Sequence, residues 1–556
     1  MNSSPSGAVP HPEKPRPETP QPETPQPEQP EAPQGETPAS ARTGEPAASE
    51  PIDAVAALLA AAGVRARPLR EVLAQLTEGA HTLDDLVRTP AVPRRIVEEL
   101  LTAAGSDIDV ENGTYRLVPA VLHRYRARFA LDALTGTPDG PEVLDRVREF
   151  VASGPAPAAA LDHVTATPET TLRRAEWLRD HYDLRGARIL CLGDHDLTSL
   201  AVGLIEPSAQ VTVVDLDERV LAHIDGLTAE HGLRIHTLHA DLRFGLPPAA
   251  KGAADVVFTD PPYTPEGVGL FAASATECLA DANSRVLIAY GFSDRSPALG
   301  HKVQQELLQL GMVFEAILPN FHRYYGAQAI GSASDLYVCL PTTRTRKLAG
   351  GKSASIYTHG PQSVEAATAT PTEAFLRKLG DLTRTPVEKL RRPGWDRPVP
   401  APRDCPVFDL RADPGPWLLR MLLACNADRV AFVVGNRHPD ITSEHAQTSL
   451  ASLIAAKYTL RFHRSSPDPN CAVVFATPPA REPGIAGHLL HRAHGKVGNI
   501  WREALIAEAD RAGSTLTKKE ANQRVAALIQ DTTDLGARLV DLPRHRLAAL
   551  LHTADV

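Results

Sequence analysis

The feature that most constrains this chain is the regular exchange of short β-branched runs and helical stretches between residues 160 and 341. Seven runs read as strands: Ala187–Leu192, Gln210–Leu216, Arg234–Ala240, Ala254–Thr259, Arg285–Tyr290, Met312–Leu318 and Asp335–Leu340. Strands that alternate with helices predict an α/β architecture with a mainly parallel, doubly wound sheet. The last two lie close enough in sequence to pair as a hairpin. In sheets of this kind a ligand sits beyond the carboxyl ends of the strands, near the first turn. The residues that follow each strand therefore carry the functional reading.

The first strand runs into Gly193-Asp194-His195-Asp196-Leu197. This turn has one glycine and is not G-x-G-x-x-G; a phosphate would meet Asp194 and Asp196 directly, whereas a cation would be attracted. Asp196 also reads as the cap of the following helix. The second strand ends in Asp215-Leu216-Asp217-Glu218, at about the twenty-residue separation from the glycine expected of an acid that holds ribose hydroxyls. Alternation lets only one of Asp215 and Asp217 face such a site. Asp241, after the third strand, reads either as an acceptor for an adenine amine or as a turn residue. The fourth strand ends in Asp260-Pro261-Pro262-Tyr263. Two consecutive prolines fix the backbone there and hold a carboxylate and an aromatic ring at the strand end. That pair suits an amine, because the carboxylate accepts its N–H and the ring face stabilises its charge. Two further polar segments, Leu161-Asp162-His163-Val164-Thr165 and Phe321-His322-Arg323-Tyr324-Tyr325-Gly326-Ala327, read as substrate walls or loops.

The rest of the chain divides by composition. Residues 1–50 hold 13 of the 49 prolines, no aromatic residue and a net charge of −5, so they cannot offset their ordering entropy and read as a disordered tail. Residues 51–120 read as three helices and a hairpin, a winged-helix outline. Between Pro51 and Arg116 seven arginines face ten acids, which disfavours DNA and suits a scaffold or dimer module. Residues 121–160 read as a helical connector and 342–402 as a linker. Residues 403–480 read as a small α/β domain and 481–556 as a helical C-terminal region. The overall charge of −9 disfavours nucleic acid as a partner. No apolar run reaches the ~18–20 residues of a membrane span. Six cysteines without a C-x-x-C pair suit reduced thiols in a cytoplasmic setting, and no metal is expected.

Several of these segments, in this order, resemble the branched-chain polyamine synthases, also called N4-bis(aminopropyl)spermidine synthases. The resemblance covers roughly residues 51–341. It rests on Glu169-Thr170-Thr171 with Arg173-Arg174, Gly193-Asp194-His195-Asp196-Leu197-Thr198-Ser199, Asp215-Leu216-Asp217-Glu218-Arg219, Asp260-Pro261-Pro262-Tyr263-Thr264-Pro265-Glu266-Gly267, and Arg323-Tyr324 through Ser334-Asp335-Leu336-Tyr337. It implies the Rossmann-like seven-stranded sheet of S-adenosylmethionine-dependent transferases. It also implies transfer of an aminopropyl group from decarboxylated S-adenosylmethionine to a polyamine, with release of 5'-methylthioadenosine. Asp196 is then the proton acceptor, with Asp260 and Tyr263 as the other catalytic groups. Asp194, His195, Asp162, Pro262 and Tyr324 bind the polyamine, and Gly193, Asp215, Asp217 and Asp241 hold the nucleoside. A homodimer is among the expected assemblies. The family motif is Gly-Asp-Asp-Asp, and His195 here replaces its middle acid; the chain also continues more than 200 residues past the last sheet strand.

Two rival readings remain at this level. Asp-Pro-Pro-Tyr also marks enzymes that methylate exocyclic amines, although the acidic first turn is unhelpful to a donor that carries a carboxylate. Alternatively, the sheet senses a polyamine for a DNA-binding regulator, a reading that the net −3 of residues 51–116 opposes.

Overall fold

The computed structural model describes residues 50–135, 140–345, 355–358, 370–400, 405–480, 484–529 and 532–555. The expected tail lies outside the described residues, as does much of the expected linker. Residues from Glu50 onward form one compact unit.

The chain begins with helices Pro51–Ala62, Arg67–Glu78, Leu83–Arg88 and Arg94–Ala104 around a small antiparallel sheet of β1 (His81–Thr82), β2 (Ile108–Glu111) and β3 (Thr114–Leu117), ordered β1-β3-β2. Asn112 and Gly113 both take positive φ at the β2–β3 turn, as a tight hairpin with matching strand twist requires. β1 was not anticipated; two residues carry no readable period.

The central sheet holds β4 (Arg188–Leu192), β5 (Gln210–Asp215), β6 (Ile235–His239), β7 (Val256–Thr259), β8 (Arg285–Tyr290), β9 (Met312–Arg323) and β10 (Ala333–Pro341) in the order β6-β5-β4-β7-β8-β10-β9. β4 to β8 pair in parallel, while β10 runs antiparallel to both β8 and β9. The sheet is thus mixed, and the final hairpin forms as expected. β7 and β8 are buried at every position, which explains their unbroken apolar sequence: helices cover both faces. Successive strands extend outward in both directions from the β4–β7 pair, so a crevice opens beyond their carboxyl ends. β9 extends five residues past the expected Leu318, through the extra residues of a bulged register with β10. Phe321, His322 and Arg323 are consequently strand residues rather than a loop.

Beyond the central sheet, β11 (Val407–Leu410), β12 (Val430–Gly435), β13 (Thr459–Arg464) and β14 (Cys471–Thr477) form a second sheet, ordered β11-β12-β14-β13. Helices including Trp417–Ala424, Val497–Arg511 and Arg544–Asp555 surround it. β11 is a four-residue strand that the sequence reading missed. One continuous apolar cluster joins Leu190, Leu192 and Val257 of the central sheet to Leu418, Met421, Phe432 and Trp501 of this region. The two sheets therefore share a core.

Close packing also fixes the loop after β7. Thr264 caps the helix Pro265–Cys278, accepting from the Gly267 N–H, and its hydroxyl donates to the Ile356 carbonyl (2.7 Å). A Cβ on Gly267 would lie 2.6 Å from the Pro262 carbonyl oxygen and 3.0 Å from that of Ile356. Both obstacles are backbone and cannot rotate away. Gly267→Ala is expected to destabilise the protein by about 1–3 kcal/mol, read as a lower midpoint in thermal denaturation.

Candidate active site

The β4–β7 crevice opens into a cavity of about 380 Å³, within the range of small-molecule sites. Six aspartates line it: Asp162, Asp194, Asp196, Asp215, Asp241 and Asp260. Arg174 is the only lysine or arginine among the described lining residues.

Arg174 organises the floor. It projects from the helix Pro168–His181, which Thr167 caps and Pro168 starts, and it is fully buried. Nη1 donates to Asp196 Oδ2 (3.0 Å) and Nη2 to Asp260 Oδ2 (2.6 Å). The guanidinium lies over the Phe258 ring at 4.9 Å. Burial alone would lower its pKa, but the two carboxylates outweigh that and raise it, so it stays charged. Asp260 also accepts from the hydroxyls of Tyr263 (3.0 Å) and Tyr324 (2.8 Å). Burial and then Asp260 push both phenols well up, which keeps them as donors.

The two carboxylates on Arg174 differ in basicity. Burial would raise Asp196, but His195 and Arg174 outweigh it and hold the group below its usual value; its Oδ1 also accepts from the Ala166 N–H (2.8 Å). Asp260 is raised by burial despite Arg174. The two carboxylates are thus unlike as bases, because one held low accepts a proton less readily than one raised by burial.

At the first turn Gly193 has φ +70° and Leu197 φ +60°, a left-handed conformation that costs a non-glycine residue of order 1–3 kcal/mol. The turn aims Asp194 at the start of the helix Thr198–Ile205, where its carboxylate accepts from the Thr198 N–H (2.8 Å) and the Ser199 N–H (3.1 Å). Asp194, rather than Asp196, thus meets the orphan donors of that helix. Asp215 accepts from the N–H groups of Asp194 (2.8 Å) and Asp217 (2.7 Å), and each oxygen keeps a lone pair. Burial pushes Asp194 up to about 7 and Asp215 up to about 6. His195 stacks on His163 at 4.4 Å, and burial followed by His195 drives His163 down to about 3.

Most expected site residues meet in this cavity: Asp162, Gly193, Asp194, His195, Asp196, Asp215, Asp241, Asp260, Pro262, Tyr263 and Tyr324. Two assignments change. Asp217 is not among the lining residues; it turns away to accept from the Arg219 backbone and guanidinium and starts the helix Glu218–His231. Asp241 lines the cavity, but four N–H groups already meet its two oxygens: the Arg243 N–H and Nε on Oδ1, and Arg243 Nη2 and the Trp417 indole (3.0 Å) on Oδ2. An ionised carboxylate has about four acceptor positions, so Asp241 is a fixed wall rather than a free acceptor for an adenine amine.

Three contributors were missed. Arg174 belongs to the quoted Arg173-Arg174 pair without an assigned role; it stands on one helical stripe with Thr171, Ala175 and Leu178, all buried, and a charge on such a stripe is a readable signal. His163 was read only as part of a segment. Ile356, Tyr357 and Thr358 form a strap over the cavity, with Thr358 donating to Asp162 through its N–H (2.5 Å) and hydroxyl (2.7 Å); nothing local in their sequence announces this. Among the described residues no cluster of His, Cys, Asp and Glu is arranged to hold a metal ion, and no helix is long and apolar enough to cross a membrane.

Residues 142–357 match the branched-chain polyamine synthase A C-terminal domain. An uncharacterized protein of Methanocaldococcus jannaschii is 34% identical over 218 residues, 39% of this chain and 54% of that protein. The N(4)-bis(aminopropyl)spermidine synthase of Thermococcus kodakarensis is 32% identical over 187 residues, 33% of this chain and 53% of the relative. The chain therefore spans about half the length of the curated relatives it matches. A solved C9 mutein of the Thermus thermophilus branched-chain polyamine synthase, in complex with N4-aminopropylspermidine and 5'-methylthioadenosine, is 22% identical. It covers 56% of this chain and 98% of its own at a TM-score of 0.36, too low to bear on the site. The cavity lies almost wholly within the matched residues 142–357, with Thr358 one residue past them.

The charge state of the wall sets a pH dependence. Asp194 and Asp215 sit above their ordinary 3.8, so both are largely neutral in mild acid and ionised above neutrality. A cation favours the ionised forms. Affinity for an organic polycation, measured by titration calorimetry, is expected to rise from pH ~5.5 to ~7.5 and then level off. Asp194→Asn is expected to flatten that rise.

Proposed function

We propose that the chain is an aminopropyltransferase that uses decarboxylated S-adenosylmethionine as donor and a polyamine as acceptor. One observation carries this reading. The N–H groups at the start of the helix Thr198–Ile205, and the one guanidinium among the described lining residues, already hold aspartates of the protein itself. Among the described lining residues a methionine carboxylate would find no free cation or helix start and would face six aspartates. A donor that has lost its carboxylate, and so carries only a sulfonium and an ammonium, suits the same wall.

The residues fit each part of this chemistry. Asp215 retains a lone pair on each oxygen for the ribose hydroxyls, and Leu216, Leu242 and Phe271 supply apolar surface for a base. Asp260, Tyr263 and Tyr324 form the amine end. The acceptor nitrogen attacks the methylene carbon bound to sulfur, and a C–N bond forms as the C–S bond breaks. The electron pair of that bond returns to sulfur, leaving neutral 5'-methylthioadenosine. The nitrogen's proton passes to Asp260, and Arg174 keeps that carboxylate oriented. The same reading makes the activity cytoplasmic and gives residues 51–120 a scaffolding, winged-helix role in a homodimer.

Incubation of the pure protein with each donor separates the alternatives by product. 5'-Methylthioadenosine is expected; S-adenosylhomocysteine would indicate methyl transfer, and neither product would indicate sensing. Asp260→Asn is expected to lower kcat by about 10²–10⁴-fold while 5'-methylthioadenosine affinity stays within about threefold. Loss of both together would remove Asp260 from the proton-accepting role.

A further inference from the structure

The second sheet and its helices lie beyond the matched segment, yet they reach the cavity wall. The helix Trp417–Ala424 presents two side chains one turn apart to the central sheet. The Trp417 indole N–H donates to Asp241 Oδ2 (3.0 Å). Arg420, completely buried, pairs with Glu218 at the start of the helix that follows β5, and its other nitrogen donates to the Val540 and Leu542 carbonyls. The main-chain N–H of Arg544 donates to Glu218 as well (2.7 Å).

Asp241 passes this contact to the cavity. Its partner Arg243 contacts two rings, 5.1 Å from Trp417 and 5.3 Å from Tyr357. Tyr357 is part of the strap that lines the cavity. Arg243 gives its main-chain N–H and two guanidinium N–H groups to Asp241, so the carboxylate links the indole to the guanidinium beside Tyr357. Remove the indole N–H and Asp241 stays buried with one donor fewer, so the carboxylate that anchors Arg243 is held less firmly.

We propose that the region 405–555 is a working part of the nucleoside end of the site, with Trp417 as a positioning residue that acts through Asp241 and Arg243 on Tyr357. This rests on the aminopropyl-transfer reading, because it takes the bound nucleoside to be 5'-methylthioadenosine or its parent donor. It makes the C-terminal region a determinant of donor affinity, with no direct part in acceptor binding at Asp260.

The test compares Trp417→Phe, which keeps a ring against Arg243 but loses the N–H, with Trp501→Phe. Trp501 is buried in the same region and its indole nitrogen has no hydrogen-bond partner among the described residues, so that variant controls for general loosening. In the full-length protein, Trp417→Phe is expected to weaken 5'-methylthioadenosine binding about tenfold, the scale of one hydrogen bond to a charged group, and to raise the donor KM. Its acceptor KM and saturated kcat should move less than twofold, and Trp501→Phe should change none of these. Addition of 5'-methylthioadenosine to the wild type should also slow hydrogen exchange at Trp417–Ala424. Unchanged nucleoside affinity in Trp417→Phe overturns the proposal, as does an equal weakening of donor and acceptor accompanied by a lower Tm. A wild-type protein that binds no 5'-methylthioadenosine at millimolar concentration overturns the aminopropyl reading itself, and the proposal with it.

Discussion

Everything at the centre of this molecule depends on one fully buried guanidinium. Asp196 and Asp260 stand at the ends of two adjacent parallel strands, and neither could remain ionised so far from water without a partner. Arg174 reaches both from a helix that packs on the sheet, while Phe258 supplies a face for its cation. The crevice is thereby organised before any ligand arrives. The two carboxylates end up unlike: one is held acidic and the other is raised by burial. Such divergence between neighbouring acids is the usual physical basis for dividing roles in an active site.

Around that hub two further aspartates are met by backbone rather than by cations. Asp194 closes the start of a helix and Asp215 gathers two main-chain N–H groups. These contacts fix the carboxylates in place without neutralising them. Six lining aspartates outnumber the guanidinium groups of Arg174 and Arg243 that pair with them, and Leu216, Leu242 and Phe271 add apolar wall, which strengthens electrostatic contacts nearby.

The parts legible in the sequence were those encoded locally. Five buried parallel strands announced themselves as apolar runs, and the acids that terminate them fall at the sheet's switch point because topology puts them there. Asp260-Pro261-Pro262-Tyr263 could be read as a rigid corner that holds a carboxylate and a ring together, because proline acts on its own backbone. Assignments that depended on orientation were less secure. Asp217 is satisfied by Arg219 two residues on, and Asp241 by Arg243 in the same way, an arrangement that spacing alone does not reveal. Contacts across long stretches of chain were not legible at all. The Trp417 indole meets Asp241 from 176 residues away, and the strap Ile356–Thr358 has no periodic signature. Arg174 lay between these extremes: its position on a buried helical stripe was visible, but its two partners were not.

The uneven charge of the cavity also bears on the order in which guests leave. A wall of fixed anions discriminates between a positively charged sulfur and the uncharged thioether left when that sulfur gives up a substituent. On the proposed aminopropyl-transfer reading, the spent nucleoside forfeits the attraction that drew its precursor in, while an elongated polycation still in the cleft keeps its own. That reading builds direction into the lining: the chemical step weakens the hold on one product, and the next charged donor competes for the vacated end on favourable terms.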